Sequence, residues 1–196
     1  MLLKMHLLTK FNLERDIDKN IYLENLIAQC KKGNVLHQEM LYKHFYGYAL
    51  SICRLYTYSN DDAVSILNDS FLKVFSSIKK NGYNKSIPFK NWLRRILINT
   101  AIDNYRKNSK HLYHLDIEES NNIQTDISAI DNLNVEDILK LLDQLPEMHR
   151  IVFNLYEIQG FSHKEISEKL KISESTSRVF LTRAKKRLRV LFNKNF

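Results

Sequence analysis

The chain has 196 residues, 44% of them hydrophobic, with only 4 Gly and 2 Pro, enough for helical cores and too few breakers for a turn-rich all-β fold. Its 30 Lys and Arg against 22 Asp and Glu leave a formal charge of +8, which points to a polyanionic partner, nucleic acid before an anionic membrane. The 2 cysteines, Cys30 and Cys53, read as free buried thiols in a reducing compartment, and no run reaches the roughly 20 apolar residues needed to span a bilayer.

Residues 1–20 are broken by Lys4, His6, Lys10, Glu14 and Arg15. They read as an arm or an extra helix, not a signal peptide, which places the protein in the cytoplasm without membrane insertion. A first helical domain follows over 21–108, with helices near 21–32, 36–57, 61–79 and 88–107. The third begins at Asn60-Asp61, good N-cap chemistry. Its Val64, Leu67, Phe71, Phe75 and Ile78 share one face. KKNGYNKSIP then breaks the pattern at Gly82 and Pro88. In the fourth helix Leu93, Ile96, Leu97, Thr100, Ala101 and Asn104 fall on one side, and Trp92, Arg95, Asn99, Asp103 and Arg106 on the other.

From Ser109 to Asp137 the chain carries seven acidic residues and one lysine with no sustained period, so 109–133 reads as an acidic flexible linker. The second helical domain covers 134–196. Pro146 suits the first turn of a helix running to about Ile158, and Gly160 can end it. Ser162 with Glu165 three residues on is a capping-box pattern that starts the next helix, with Ile166 and Leu170 inward. Lys171-Ile172-Ser173 turns the chain into a long helix with Leu181, Ala184, Leu188 and Leu191 inward. The expected fold class is therefore all-α, two small helical domains joined by a linker.

Two surfaces carry chemistry. The short hinge before the last helix is that of a helix-turn-helix, whose second helix places small polar residues against base edges. Glu174, Ser175, Thr176, Arg178 and Val179 stand at its N-terminal end. Arg178 suits a guanine edge, because its planar fork matches two acceptors. Arg183 and Lys186 suit phosphates, which position without specifying. The second surface interleaves Tyr83, Phe89 and Trp92 with Lys79, Lys80, Lys85, Lys90, Arg94 and Arg95, as a single-strand platform does. Stacking there contributes about 1–3 kcal/mol per base. For Trp92 a core role stands level with that reading, and for Phe89 the core role leads.

Catalytic patterns are missing: no P-loop, dinucleotide fingerprint, HExxH or GxSxG occurs. His111 and His114 form HxxH without convincing further ligands. The reading is of a non-enzyme with no catalytic residues, metal, cofactor or small-molecule substrate.

At this point DDAVSILNDSFLKVF and FKNWLRRILINTAIDNYRK resemble region 2 of the sigma-70 family, and LPEMHRIVFNLYEIQGFSHKEISEKLKISESTSRVFLTRAKKRLR resembles region 4. In this order, with a short linker, they resemble an extracytoplasmic-function (ECF) RNA polymerase sigma factor. The resemblance implies a protein that binds core RNA polymerase through its clamp helices and flap and directs it to promoters. The helix from Ser173 onward would enter the major groove of the −35 element. The loop from Lys79 to Phe89, including Lys80, Asn84 and Lys85, would hold a base flipped from the −10 element, with Asn99, Asp103 and Arg106 reading nearby DNA. Asp62, Ser65, Ile66, Asn68, Asp69, Leu72 and Lys73 would face the polymerase clamp helices. An anti-sigma protein is a further implied partner.

Departures from the family pattern are visible. Asp62-Ala63-Val64-Ser65 stands where Asp-Ala-Glu-Asp is usual, and Asn68-Asp69 where Gln-Glu is. Ser167 replaces a customary Ala, and Lys171 a customary Gly at the hinge, where a non-Gly residue with positive φ costs about 1 kcal/mol or more. A helix-turn-helix regulator without polymerase function, or a sigma-like decoy, are the alternative readings.

Overall fold

The structure is a computed structural model in which residues 21–108 and 135–195 are described. The expected arm at 1–20, the linker at 109–133 and the His111–His114 pair lie outside the described residues. Among the described residues every regular element is helical, and none of these helices is long and apolar enough to cross a membrane.

The elements follow from local chemistry. Helix α1 covers 21–31 and stops at Gly33, whose φ of 80° suits a residue without Cβ. Asn34 then caps α2 (Val35–Arg54), its Oδ1 accepting the His37 amide. Helix α3 (Asn60–Lys79) begins one residue earlier than the Asn60-Asp61 pair suggests. Ser59 is its cap, its Oγ accepting the amides of Asp61 and Asp62. The turn after α3 places Asn81 at φ 60°, and the Gly82 amide donates to the Ser77 carbonyl at 2.8 Å. A Cβ on Gly82 would lie 2.3 Å from Ser77 Oγ and 3.2 Å from its carbonyl oxygen, so only glycine fits this approach. Helix α4 (Phe89–Asn108) starts directly after Pro88.

Helix α5 (Val135–Asp143) was hidden in the acidic stretch: Glu136 and Asp137 lie in its first turn, where the helix dipole favours them. Pro146 is the N-cap of α6 (Glu147–Phe153), not a residue inside it. The expected single helix to Ile158 is in fact α6 followed by a π-helical turn, Asn154–Ile158, in which Gln159 donates back to the Asn154 carbonyl. Gly160 follows with φ 77°. Helix α7 (His163–Leu170) and α8 (Glu174–Asn195) complete the chain.

Packing divides the described residues into two units, 21–49 with 68–96, and 50–67 with 97–108 and 135–195. The division runs through α2, α3 and α4 and not between the sequence motifs. In the first unit, Tyr42 of α2 meets Phe71 of α3 edge-on at 4.9 Å, and Phe45 meets Phe89 at 5.1 Å. Cys30, Leu41, Val74, Ile78 and Leu93 fill the space between them. In the second unit Leu142, Leu145 and Ala184 form a cluster flanked by Leu55, Phe153 and Leu188. Cys53 is buried here as Cys30 is in the first unit, and burial pushes the two thiols up to about 12 and about 11, so both are inert as nucleophiles.

Candidate nucleic-acid interface

The helix-turn-helix is built by two caps and a strained corner. Ser162 Oγ accepts the Glu165 amide while Glu165 Oε2 accepts the Ser162 amide at 2.8 Å, the full capping box. The Ser162 amide first, and then the Ser162 hydroxyl donating to the same oxygen at 2.8 Å, hold the Glu165 carboxyl below its ordinary range. Ile166 and Leu170 are buried. Lys171 then takes the left-handed conformation, φ 56° and ψ 43°, and the amides of Lys171 and Ile172 both donate to the Ser167 carbonyl. Ser173 Oγ accepts the Thr176 amide at 3.0 Å and so caps α8. A bond of 2.9 Å between His163 Nδ1 and the buried Ser177 Oγ ties the start of α7 to the first turns of α8.

Around that tie the charges are arranged. His163 stacks on Tyr156 at 4.5 Å. Burial first, then the cations of Arg178 and Lys185, lower its pKa below the ordinary 6.5, with Glu174 opposing. The imidazole is therefore neutral at neutral pH. Arg178 is 58% exposed and sits 3.2 Å from Glu174 one turn earlier. An exposed pair at this spacing is worth only about 0.3–0.5 kcal/mol, so the guanidinium can leave it for a base edge at little cost. Glu174, Ser175, Thr176, Arg178 and Val179 thus share the leading end of α8, with Val179 exposed. Arg183 is half-buried further along. Lys186 differs from expectation: its Nζ is shielded from solvent and has no hydrogen-bond partner, so it must swing outward to meet a phosphate.

In the loop and α4, Tyr83, Phe89 and Trp92 form one aromatic cluster with ring separations of 5.0 to 5.4 Å. Phe89 and Trp92 are buried, so their faces belong to the core of the first unit and are not an open platform. Tyr83 stays half-exposed, its hydroxyl donating to the Ile87 carbonyl at 3.0 Å. Asn84 Oδ1 accepts from the Ser86 amide and hydroxyl, an Asx turn that fixes the loop tip. Lys80, Asn84 and Lys85 are exposed on it. On α4, Arg95 and Asn99 are exposed, and Arg106 lies 3.7 Å from Asp103. In the second unit Asn99 Oδ1 accepts Lys169 Nζ at 3.1 Å, and Arg106 donates to the Lys169 carbonyl.

Of the residues read as facing polymerase, Asp62, Ser65, Asn68, Asp69, Leu72 and Lys73 are exposed on α3, and Leu72 is 68% exposed. Ile66 is buried at 2%, so it anchors the helix and presents nothing outward. Asn68 Oδ1 accepts the Tyr42 hydroxyl at 2.9 Å. Sequence reasoning missed Arg150. Its guanidinium is 1% exposed and donates to Asp143 at 2.5 Å, the Leu55 carbonyl at 2.9 Å and the Arg54 carbonyl at 2.6 Å. No local pattern could reveal it, because two of those partners lie on a turn nearly a hundred residues away. Among the described residues no three or more His, Cys, Asp or Glu side chains converge as metal ligands would.

Fold and site together define an all-helical protein with a helix-turn-helix at its C-terminal end. Residues 41–111 match Sigma-70 region 2 and residues 135–188 match Sigma-70 region 4. RNA polymerase sigma factor SigZ of Bacillus subtilis is 33% identical over 132 residues, covering 65% of this chain and 73% of that protein. ECF RNA polymerase sigma factor SigM of the same organism is 27% identical over 134 residues, covering 67% and 80%. The Escherichia coli ECF RNA polymerase sigma-E factor is 25% identical over 173 residues, covering 82% and 88%. In fold, the sigma factor RpoE crystallised with the anti-sigma factor NepR from Bartonella quintana aligns with a TM-score of 0.50 at 18% identity, over 81% of this chain and 98% of that one. The chain belongs to the sigma-70 family of RNA polymerase sigma factors, in its extracytoplasmic-function branch.

Proposed function

We propose that the chain works in the cytoplasm as a promoter-specificity subunit whose two halves, 21–108 and 134–196, divide the promoter between them. The observation that carries this is the helix-turn-helix end itself. It leaves Glu174, Ser175, Thr176, Arg178 and Val179 together at the front of α8, behind a second region of the same family in one chain. In this reading α8 enters the major groove at the −35 element, Arg178 reads a guanine edge, and Arg183 and Lys186 take phosphates.

The loop over 80–88 and the exposed side of α4 would take the −10 strand. Unstacking a base costs a few kcal/mol. With Phe89 and Trp92 in the core, Tyr83, Asn84 and Lys85 are the groups left to meet that base, on a loop held by its own Asx turn. Arg95, Asn99, Asp103 and Arg106 would track the adjacent backbone. The exposed side of α3, from Asp62 to Lys73, would meet the polymerase clamp, and region 4 the flap. An anti-sigma protein is a partner in the same reading, and the chain itself catalyses nothing.

Run-off transcription with purified protein and core polymerase tests this: specific transcripts are expected from a cognate promoter. Val64 and Ser65, standing where acidic residues are customary on α3, favour a second reading, a decoy that binds polymerase without opening DNA. Stable co-elution with core enzyme and no transcript from any promoter would establish the decoy.

A further inference from the structure

Helix α7 packs on α8 and on the π-helical turn, with Ile166 and Leu170 buried. Apolar contacts of this kind are non-directional, so they hold the two helices together without fixing one angle between them. Among the described residues a single side-chain hydrogen bond joins α7 to α8, between His163 Nδ1 and Ser177 Oγ at 2.9 Å. Ser177 is 0% exposed and immediately precedes Arg178. The bond therefore ties the first residue of α7 to the turn of α8 that carries Arg178.

The direction of the bond follows from Ser177. Among the described residues its hydroxyl meets no acceptor other than His163 Nδ1. A buried hydroxyl proton without an acceptor carries the full desolvation cost of the group, so Ser177 Oγ–H donates and Nδ1 accepts. The imidazole is then neutral, with its one proton on Nε2. Its surroundings agree. Burial first, and then Arg178 of α8, hold the ring's pKa low, Lys185 adding to this and Glu174 opposing it. Glu174 is engaged by Arg178 at 3.2 Å, and Lys185 by Glu157 of the π-helical turn at 2.6 Å. Tyr156 of that turn stacks on the ring at 4.5 Å. On α7 itself Lys164 is exposed, and the Glu165 carboxylate is taken up by the Ser162 amide and hydroxyl. A proton on Nδ1 would turn the acceptor into a donor and strand the Ser177 hydroxyl proton.

We propose that neutral His163 is a positioning residue of the helix-turn-helix: its bond to Ser177 sets the angle of α8 on α7 at which Arg178 reaches one base, and protonation releases that angle. The inference rests on the promoter reading of α8 given above. His163 needs no contact with DNA for this. Its influence runs through Ser177 to the next residue, whose long side chain turns a small rotation of α8 into a displaced fork. The signature is a base preference that is lost in acid, since added positive charge alone would strengthen binding to every sequence.

The test has two arms, both on the full chain. Nitrogen-15 spectra of the histidines in the free protein should show His163 Nδ1 unprotonated and accepting a hydrogen bond, with a resonance that moves in Ser177→Ala. A protonated Nδ1 at neutral pH overturns the proposal. In the second arm the chain is assembled with core polymerase, upstream sequences are selected from a random pool, and affinity is compared for the preferred and a substituted base at the position lost in Arg178→Ala. His163→Ala should lower that ratio about three- to ten-fold, the range of one neutral hydrogen bond. His163→Asn, whose Oδ1 stands where Nδ1 does, should restore it. Between pH 7 and pH 5.5 the wild-type ratio should fall and the Asn variant should stay flat. A histidine that acts by its charge on a phosphate predicts the reverse: binding that tightens equally for both bases as pH falls, and an Asn variant no better than Ala. That result overturns the positioning role, as does an unchanged ratio in His163→Ala. A wild-type holoenzyme that selects no upstream sequence would sink the promoter reading and the specificity role with it, whereas the tie itself stands or falls on the Nδ1 resonance.

Discussion

Lys171→Gly should stabilise the protein, although it removes a charged side chain and adds no contact. Lys171 is exposed at φ 56° and ψ 43°, where a Cβ crowds the neighbouring carbonyl, and the left-handed conformation costs an L-residue about 1–2 kcal/mol. Glycine removes that cost but gives the unfolded chain more freedom, a loss of about 0.5–1 kcal/mol. The difference is a net gain of about 0.5–1 kcal/mol. For a helical unit of this size that raises the midpoint by about 3–6 °C. Thermal unfolding followed by circular dichroism, with urea titration in parallel, measures it. Lys171→Ala is the control, because it removes the charge and keeps the Cβ, so it should gain nothing. Equal stabilisation by Ala and Gly would show that the charge and not the backbone is the source of strain. No gain from Gly would show that the turn relaxes its strain elsewhere.

Other perturbations address other parts of the molecule. Gly82→Ala should cost about 1–3 kcal/mol by overpacking against Ser77. The double variant with Ser77→Ala should recover part of that in urea titration, since it removes the nearer of the two clashing atoms. Arg178→Ala should relax preference at one −35 position by about 1–3 kcal/mol, read from selection on random upstream sequences; an unchanged logo would remove Arg178 from that role. Stability should fall as pH drops below the ordinary histidine value of 6.5. Burial lowers the pKa values of His149 and His163, so the unfolded chain takes up protons that the folded one resists. Changing both residues to Asn should flatten urea midpoints between pH 7 and pH 5.5, and an undiminished slope in that double variant would place the effect elsewhere. Asn99→Ala should reduce permanganate reactivity of the melted region more than closed-complex binding; equal loss of both would make Asn99 a mere docking contact.

The sequence was most legible where a single local device sets the backbone. Ser162 with Glu165 forms the capping box expected of it, and Lys171 takes the positive φ that its place at the hinge requires. The inward positions of α8, Leu181, Ala184 and Leu191, follow from helical spacing alone. Legibility fell where several devices compete. Helix α5 was absorbed into the acidic stretch because Glu136 and Asp137 serve both a solvated linker and a helix N-terminus equally well. Helix α4 was read as two-sided, yet Trp92, Ile98 and Ile102 are buried along with Leu93 and Leu97, because it is covered on more than one side. Ile66 shows the same limit, since a motif position says nothing of which way a side chain faces. Arg150 was out of reach altogether, because a buried guanidinium is defined by its distant acceptors.

The π-helical turn at Asn154–Ile158 has a bearing on how this family can vary. A wide turn accommodates one residue more than the α-helical path around it, and each residue of an α-helix turns the chain by about 100°. Excising a single residue there would let the α-helical ladder run on unbroken. The caps at Ser162 and Ser173 would survive, and the leading end of α8 would fold as before. Because the wide turn absorbs the extra residue, everything beyond Gly160 would leave the end of α6 in nearly its present direction. The turn thus marks a place where the chain can hold one residue more or fewer, and a one-residue deletion there should leave the helix-turn-helix aimed as it is.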